Sequence, residues 1–154
     1  MNEVIKTDIC VIGGGSGGLS VAAGASQMGA DVVLIEKGKM GGDCLNYGCV
    51  PSKALLAAGH AAQAVREAAK FGVHATLNMV NQQEVHDHVK GVIAGIAPHD
   101  SVERFEGLGV KVIQDGAKFV APNAVVAGGK RIEAKRFVIS TGSRAFIPPI
   151  EGLE

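Results

Sequence analysis

Residues 4 to 12, VIKTDICVI, form a largely apolar run that stops abruptly at GGGSGG. Leu19, Val21, Ala22, Ala25 and Met28 then recur at roughly helical spacing as far as Gly29. DVVLIE, residues 31 to 36, is a second short apolar strand. Strand, glycine turn, helix and strand within about thirty residues describe a βαβ unit.

Downstream, residues 51 to 70 (PSKALLAA to EAAK) predict an Ala-rich helix, with Pro51 near its first turn, where a missing N–H costs nothing. A polar loop follows over 72–81. Val85, Val89, Val92, Ile93 and Ile96 give spacings of 4, 3, 1 and 3, an amphipathic helix that Pro98 ends. Asp100 with Glu103 resembles a capping box for a short further piece. From residue 110 the period shortens: VKVIQD, AKFVA, AVVAG and KRIEA are separated by Gly, Asn and Pro and predict strands, several of them antiparallel. RFVISTG (136–142) is a last buried strand, and the prolines of PPIEGLE mark an exit from the sheet. The expected fold is α/β: a Rossmann-like domain with a central parallel sheet and a small antiparallel β-meander, in one domain of 154 residues.

Composition agrees with a buried parallel sheet, since the chain is 47% hydrophobic and only 4% aromatic, with 22 glycines and no Trp. Fifteen Lys and Arg balance fifteen Asp and Glu, and no basic patch appears, so neither nucleic acid nor an anionic membrane surface is an expected partner. No run of 18 apolar residues predicts a membrane span. The start, MNEVIKTDICVI, enters a strand without the basic beginning and long apolar stretch of a secretory signal, so a cytoplasmic location is expected. Structural disulfides are rare in that compartment.

Two motifs carry chemistry. Gly13-x-Gly15-x-x-Gly18 follows a strand, opens a helix and precedes Glu36 by 18 residues. In that setting Gly13 permits a tight turn, Gly15 lets a pyrophosphate approach the backbone, and Gly18 allows close packing of helix on sheet. The helix N-terminus favours phosphate, and Glu36 can accept from an adenosine ribose while disfavouring a 2′-phosphate. The second motif is GGDCLNYGCVPSK, residues 41 to 53. Its C-x4-C spacing is a poor zinc pattern, and His60, His74, His86, His88 and His99 are scattered, so no metal site is expected. Redox chemistry has a mechanism here: Cys49 at the start of a helix gains thiolate stabilisation, and Cys44 can close a short disulfide with it and reopen it by exchange. Cys10, mid-strand, reads as core. Lys53, one helical turn after Cys49, is either a cation facing a bound ring or an acid, or an exposed helix lysine.

GGDCLNYGCVPSKAL, joined with GGGSGG, Glu36 and the Ser-Thr-Gly-Ser near the end, resembles the flavin-dependent pyridine nucleotide–disulfide oxidoreductases (class I), which include dihydrolipoamide dehydrogenase, glutathione reductase and mercuric ion reductase. The resemblance implies FAD on Gly13, Gly15, Ser16, Gly17 and Gly18, with Glu36 on its ribose and with Lys37, Gly42, Ala117, Thr141 and Gly142 also at the cofactor. It implies Cys49 as the flavin-facing cysteine, Cys44 as the interchange cysteine and Lys53 beside the flavin. Electrons then pass between NAD(P)H, FAD, the disulfide and a small-molecule or protein-bound disulfide substrate. The form of the motif is closer to the lipoamide branch than to glutathione reductase, with a mercuric reductase-like parent and a stand-alone redox-sensing module as alternatives. An NAD-binding domain with structural cysteines leaves the Cys-to-Lys pattern unexplained. Residues 1–154 are then expected to be the N-terminal part of an FAD-binding domain. The family's NAD(P)-binding and C-terminal dimerisation domains are absent from these residues, and the full-length parent is expected to be a homodimer. Three positions depart from the family pattern: Asp43 replaces a frequent Thr and should point away from phosphate, Tyr47 replaces an aliphatic residue between the cysteines, and Ser140 replaces an Ala.

Overall fold

The computed structural model describes residues 3–144 and 146–153; Met1, Asn2 and Glu154, the outer ends of the expected start and exit segments, lie outside it, as does Ala145. The elements run β1 (Val4–Ile12), α1 (Ser16–Gln27), β2 (Val32–Ile35), α2 (Gly42–Asn46), α3 (Cys49–Glu67), a 3-10 turn (Ala68–Phe71), α4 (Gln82–Ile96), a second 3-10 turn (Ala97–Asp100), α5 (Val102–Gly107), β3 (Lys111–Ile113), β4 (Lys118–Ala121), β5 (Ala124–Ala127) and β6 (Lys130–Ile139). The strands form one six-stranded sheet in the order β3-β2-β1-β6-β5-β4. The first four of that order are mutually parallel, whereas β5 and β4 are added as an antiparallel edge. The α/β, Rossmann-like expectation is borne out, with a mixed rather than purely parallel sheet.

The apolar runs of β1 and β2 follow from their central position, where both faces are covered. Cys10, Ile12, Val33 and Ile35 join Val125 and Ile132 in one core. The intervening Val11, Val32 and Leu34 meet Leu19 and Ala22 of α1 and Phe105 of α5 in the other. Ala22 is wholly buried, so its small side chain sets the close approach of α1 to the sheet. Burying a Val, Leu or Ile side chain contributes about 1.5–3 kcal/mol, so these two clusters carry much of the fold's stability.

Several expectations need correction. KRIEA and RFVIS are not separate strands but one ten-residue β6, which pairs with β1 from Arg131 to Ile139 while its first four residues also pair with β5. The meander therefore extends the central sheet. VKVIQD supplies only the short parallel edge strand β3. Met28 is 89% exposed and follows the last helical residue, so the buried stripe of α1 does not reach it. The cap of α5 is Ser101, not Asp100: Asp100 closes the preceding 3-10 turn, whereas Ser101 is extended and its hydroxyl accepts from Arg104 N at 3.2 Å. Helix α3 begins at Cys49, two residues before Pro51.

The carboxyl ends of β1, β2 and β6 converge. Gly13 N donates to Ile35 O at 2.8 Å, and Ser140 N donates to Ile12 O at 2.8 Å. That edge of a parallel sheet is where open α/β folds place their ligands.

Candidate nucleotide and redox site

Gly13 has φ +112, and a Cβ there would overlap the Ser140 carbonyl, whose carbon lies 2.7 Å away. A Cβ on Gly18 would overlap Gly13 O and lie 2.7 Å from Ser140 Oγ. Both positions thus require glycine. Gly15 is different: a Cβ there would meet only Gly42 Cα, at an ordinary contact distance of 3.7 Å, so the cysteine loop and not the sheet is its neighbour. The Ser140 hydroxyl donates to Ile12 O and Gly13 O at 3.1 and 3.2 Å, fastening the turn to the end of β6. No side chain caps α1, and no acidic residue lies in its first turn, where Ser16 and Gly17 are exposed. This first turn fits an anionic group such as a pyrophosphate.

Beside the turn is a pocket of about 150 Å³ lined by Gly13, Glu36, Lys37, Asp115, Ala117 and Thr141. Five of these were sequence candidates, drawn from four separate stretches of chain. Glu36 does more than face a ribose: its Oε2 accepts from Gly14 N at 2.5 Å and its Oε1 from Gly38 N at 2.6 Å. Each oxygen keeps a second lone pair for a ligand hydroxyl. Gly142, at φ +66, follows Thr141 but does not line the pocket. Asp115 was not among the candidates, although an Asp-Gly pair just after β3 carried a turn signal.

The cysteine segment meets this turn backbone to backbone. Gly41 N donates to Gly14 O at 2.8 Å, and Gly15 forms an isolated bridge with Gly41. Gly42 has φ +58, and a Cβ there would lie 2.6 Å from Gly15 Cα. Gly41 (φ +84) similarly lacks room, because a Cβ would lie 2.7 Å from that of Leu45. Asn46 Nδ2 donates to Met40 O and Gly42 O, bracing the loop. Asp43 O accepts from Tyr47 N and Gly48 N at 2.8 and 2.7 Å, closing the turn between the cysteines. The Asp43 carboxylate folds over Gly48, where a Cβ would lie 2.7 Å from its Oδ2. It is turned toward the cysteine loop, as expected of a residue that cannot donate to phosphate.

Cys44 and Cys49 are free thiols, the first half-buried on α2 and the second exposed as the opening residue of α3. The Cys44 pKa is raised above its ordinary value, chiefly by the hydrogen bond with the Cys49 side chain, then by burial and by charge on Cys49. The Cys49 backbone N–H and the Lys53 cation pull the other way. Exposed Lys53 thus favours the Cys44 thiolate, as the smallest of these influences. Cys10 is wholly buried, and that burial pushes its thiol up to about 12, leaving it a core residue. Among the described residues no group of three or more His, Cys, Asp or Glu could hold a metal ion. The Lys39 ammonium stands 5.7 Å from the centre of the Tyr47 ring. Tyr47 also lines a groove of about 780 Å³ between α3 and α4, with Ser52, Leu55, Val85 and His86. The sequence marked Tyr47 as relevant to access but did not foretell that groove, which arises only when α3 and α4 pack.

The pyridine nucleotide-disulphide oxidoreductase family matches residues 7–154. The chain belongs to this family. Among curated relatives, a dihydrolipoyl dehydrogenase of Halobacterium salinarum is 39% identical over 153 residues, covering 94% of this chain and 31% of that protein. A dihydrolipoyl dehydrogenase of Staphylococcus aureus is 38% identical over 152 residues, covering 96% of this chain and 31% of the relative. A mercuric reductase of Bacillus cereus is 34% identical over 147 residues, covering 96% and 23% respectively. The chain thus spans about a quarter to a third of these relatives' length. As a redox domain of the pyridine nucleotide-disulphide oxidoreductases it joins a dinucleotide-type turn to a dithiol in one continuous fold. No helix of the described residues is long and apolar enough to cross a membrane.

Proposed function

We propose that this domain holds FAD along the Gly13–Gly18 turn and the Glu36–Ala117 pocket, and that Cys44 and Cys49 form its redox-active disulfide. The observation that carries this reading is the backbone junction of Gly14 and Gly15 with Gly41, which fixes the cysteine loop against the nucleotide turn. Gly15, Ser16 and Gly17 would meet the pyrophosphate, with Gly13 and Gly18 shaping the turn. Glu36 and Lys37 would meet the ribose, Ala117 the adenine side, Thr141 and Gly142 the cofactor where β6 ends, and Gly42 and Lys53 the flavin half. FAD supplies, when bound, the two-electron exchange between a nicotinamide cofactor, NAD(P)H, and the disulfide.

The chain's own chemistry is thiol–disulfide exchange. Cys44 loses its proton and its thiolate attacks one sulfur of a substrate disulfide, expelling the other sulfur as a thiolate that takes up a proton. Cys49 then loses its proton and its thiolate attacks the Cys44 sulfur, forming the Cys44–Cys49 disulfide and expelling the second substrate thiolate, which takes up a proton. Two electrons pass from the dithiol to the substrate, and the reverse sequence oxidises a substrate dithiol. Because its neighbour raises the Cys44 pKa, attack needs a proton acceptor, while Lys53 and the Cys49 N–H stabilise the thiolate once formed.

The substrate is a small-molecule or protein-bound disulfide of the dihydrolipoamide type, since the names of two relatives point to that chemistry; mercuric ion is the second reading, from the Bacillus cereus relative. Residues 1–154 serve as the N-terminal part of an FAD-binding domain in a cytoplasmic, homodimeric enzyme whose nicotinamide-binding and dimerisation parts lie outside them. Titration with FAD, followed by flavin fluorescence, tests the cofactor assignment. Saturable binding displaced by ADP is expected; absence of saturable binding refutes it.

A further inference from the structure

We propose that Asp115 is a positioning residue that presets the nucleotide pocket by tying its outer wall to the β5–β6 hairpin. This rests on the reading of that pocket as the adenosine site. The wall is the 114–117 segment, which crosses from β3 to β4 and brings Asp115, Gly116 and Ala117 into the pocket lining with Glu36 and Lys37. Its far end is anchored by half-buried Ala117, which packs against the core, and Asp115 N donates to Ile113 O at 3.2 Å. Residues 114–116 are nevertheless exposed, and Gly116 has no atom within 4 Å of where a Cβ would be. The Asp115 carboxylate supplies the constraint. Its Oδ1 accepts from Gly116 N at 2.7 Å, and its Oδ2 accepts from Gly128 N, 13 residues away, also at 2.7 Å.

Gly128 is a fixed point for such a tether. It has φ +56 in the turn between β5 and β6, and a Cβ there would lie 3.1 Å from Ile113 Cγ2, so the hairpin tip is itself seated on the end of β3. One side chain thus links the end of β3, the pocket wall and the hairpin. The two backbone N–H bonds also hold its carboxyl below the ordinary carboxylate value, Gly128 contributing most, so the tether is ionised at neutral pH. A wall ordered in advance need not be ordered by the ligand, and affinity is higher by the fraction of time it is already in place.

The test compares wild type, Asp115→Ala and Asp115→Asn. ADP affinity is measured by calorimetry, amide hydrogen exchange is measured at Gly116 and Gly128, and alkylation rates of Cys44 and Cys49 serve as a control for the fold. If loss of the tether leaves the wall correctly placed about a tenth of the time, ADP binding weakens about tenfold in Asp115→Ala. Asp115→Asn, which keeps one acceptor oxygen, should fall between. Exchange at Gly116 and Gly128 should quicken while the cysteine rates stay unchanged, a split that general destabilisation would not produce. Undiminished ADP affinity in Asp115→Ala, or weakened affinity accompanied by altered cysteine rates, overturns the proposal. A wild type that binds no ADP overturns the adenosine reading, and the proposal with it.

Discussion

Gly18 and Gly24 sit on the same helix, yet the structure gives an added methyl group opposite consequences at the two positions. At Gly18 a Cβ would overlap the Gly13 carbonyl oxygen and lie 2.7 Å from Ser140 Oγ, and the first obstacle is backbone that cannot rotate away. The turn or α1 must shift, at an overpacking cost of about 1–3 kcal/mol. At Gly24, exposed in the same helix, nothing lies within 4 Å, and alanine contributes about 0.5–1 kcal/mol of helix preference. For a chain of this length each kcal/mol moves the melting temperature by about 2–4 °C. Gly18→Ala should therefore melt about 2–12 °C below wild type and Gly24→Ala about 1–4 °C above it. Differential scanning calorimetry of the three proteins measures both shifts. Equal stability of Gly18→Ala and wild type, or destabilisation by Gly24→Ala, would refute the packing of the nucleotide turn described above.

Other expectations can be checked alongside. The alkylation rate of Cys44, followed against pH by mass spectrometry, should rise at higher pH than an ordinary cysteine. Cys49→Ala removes the largest cause of the raised pKa and should move the profile down, while Lys53→Gln removes a stabilising cation and should move it up. Ser140→Ala deletes the hydroxyl bonded to Ile12 O and Gly13 O and should cost about 0.5–1.5 kcal/mol in urea unfolding. Gly42→Ala meets both a left-handed backbone and Gly15 Cα, so it should destabilise by at least about 1–2 kcal/mol and detach the cysteine loop, seen as faster exchange at the Gly41 amide.

The βαβ unit was legible in the sequence because local pattern and local structure agree there: apolar runs, glycines and helical spacing all specify one arrangement. The cysteine loop was recognisable for the same reason, since its residues are contiguous. What could not be read was long-range. Lys135 and Arg136, both exposed, interrupt the alternation of Ile132 and Ala134 and mimic a turn. Pairing with β1 carries the strand straight through them. Asp115 and Gly128 look like two unrelated turn residues until the hairpin folds back over β3. Likewise, Glu36 reads as a ligand acceptor, and only the fold reveals that it also holds Gly14 and Gly38. Spacing left two readings of Lys53 open, and the fold adds that its cation lies near enough to Cys44 to favour the thiolate, the smallest of the influences on that thiol.

The central claim is that Cys44 and Cys49, and not Cys10, form a reversible disulfide beside a nucleotide site. It is tested most directly by equilibrating the protein in glutathione redox buffers, trapping free thiols and mapping the products by mass spectrometry. The account predicts a single Cys44–Cys49 disulfide that forms and reopens with buffer potential while Cys10 stays a thiol throughout. Failure of Cys44 and Cys49 to pair, or a disulfide that includes Cys10, would contradict it.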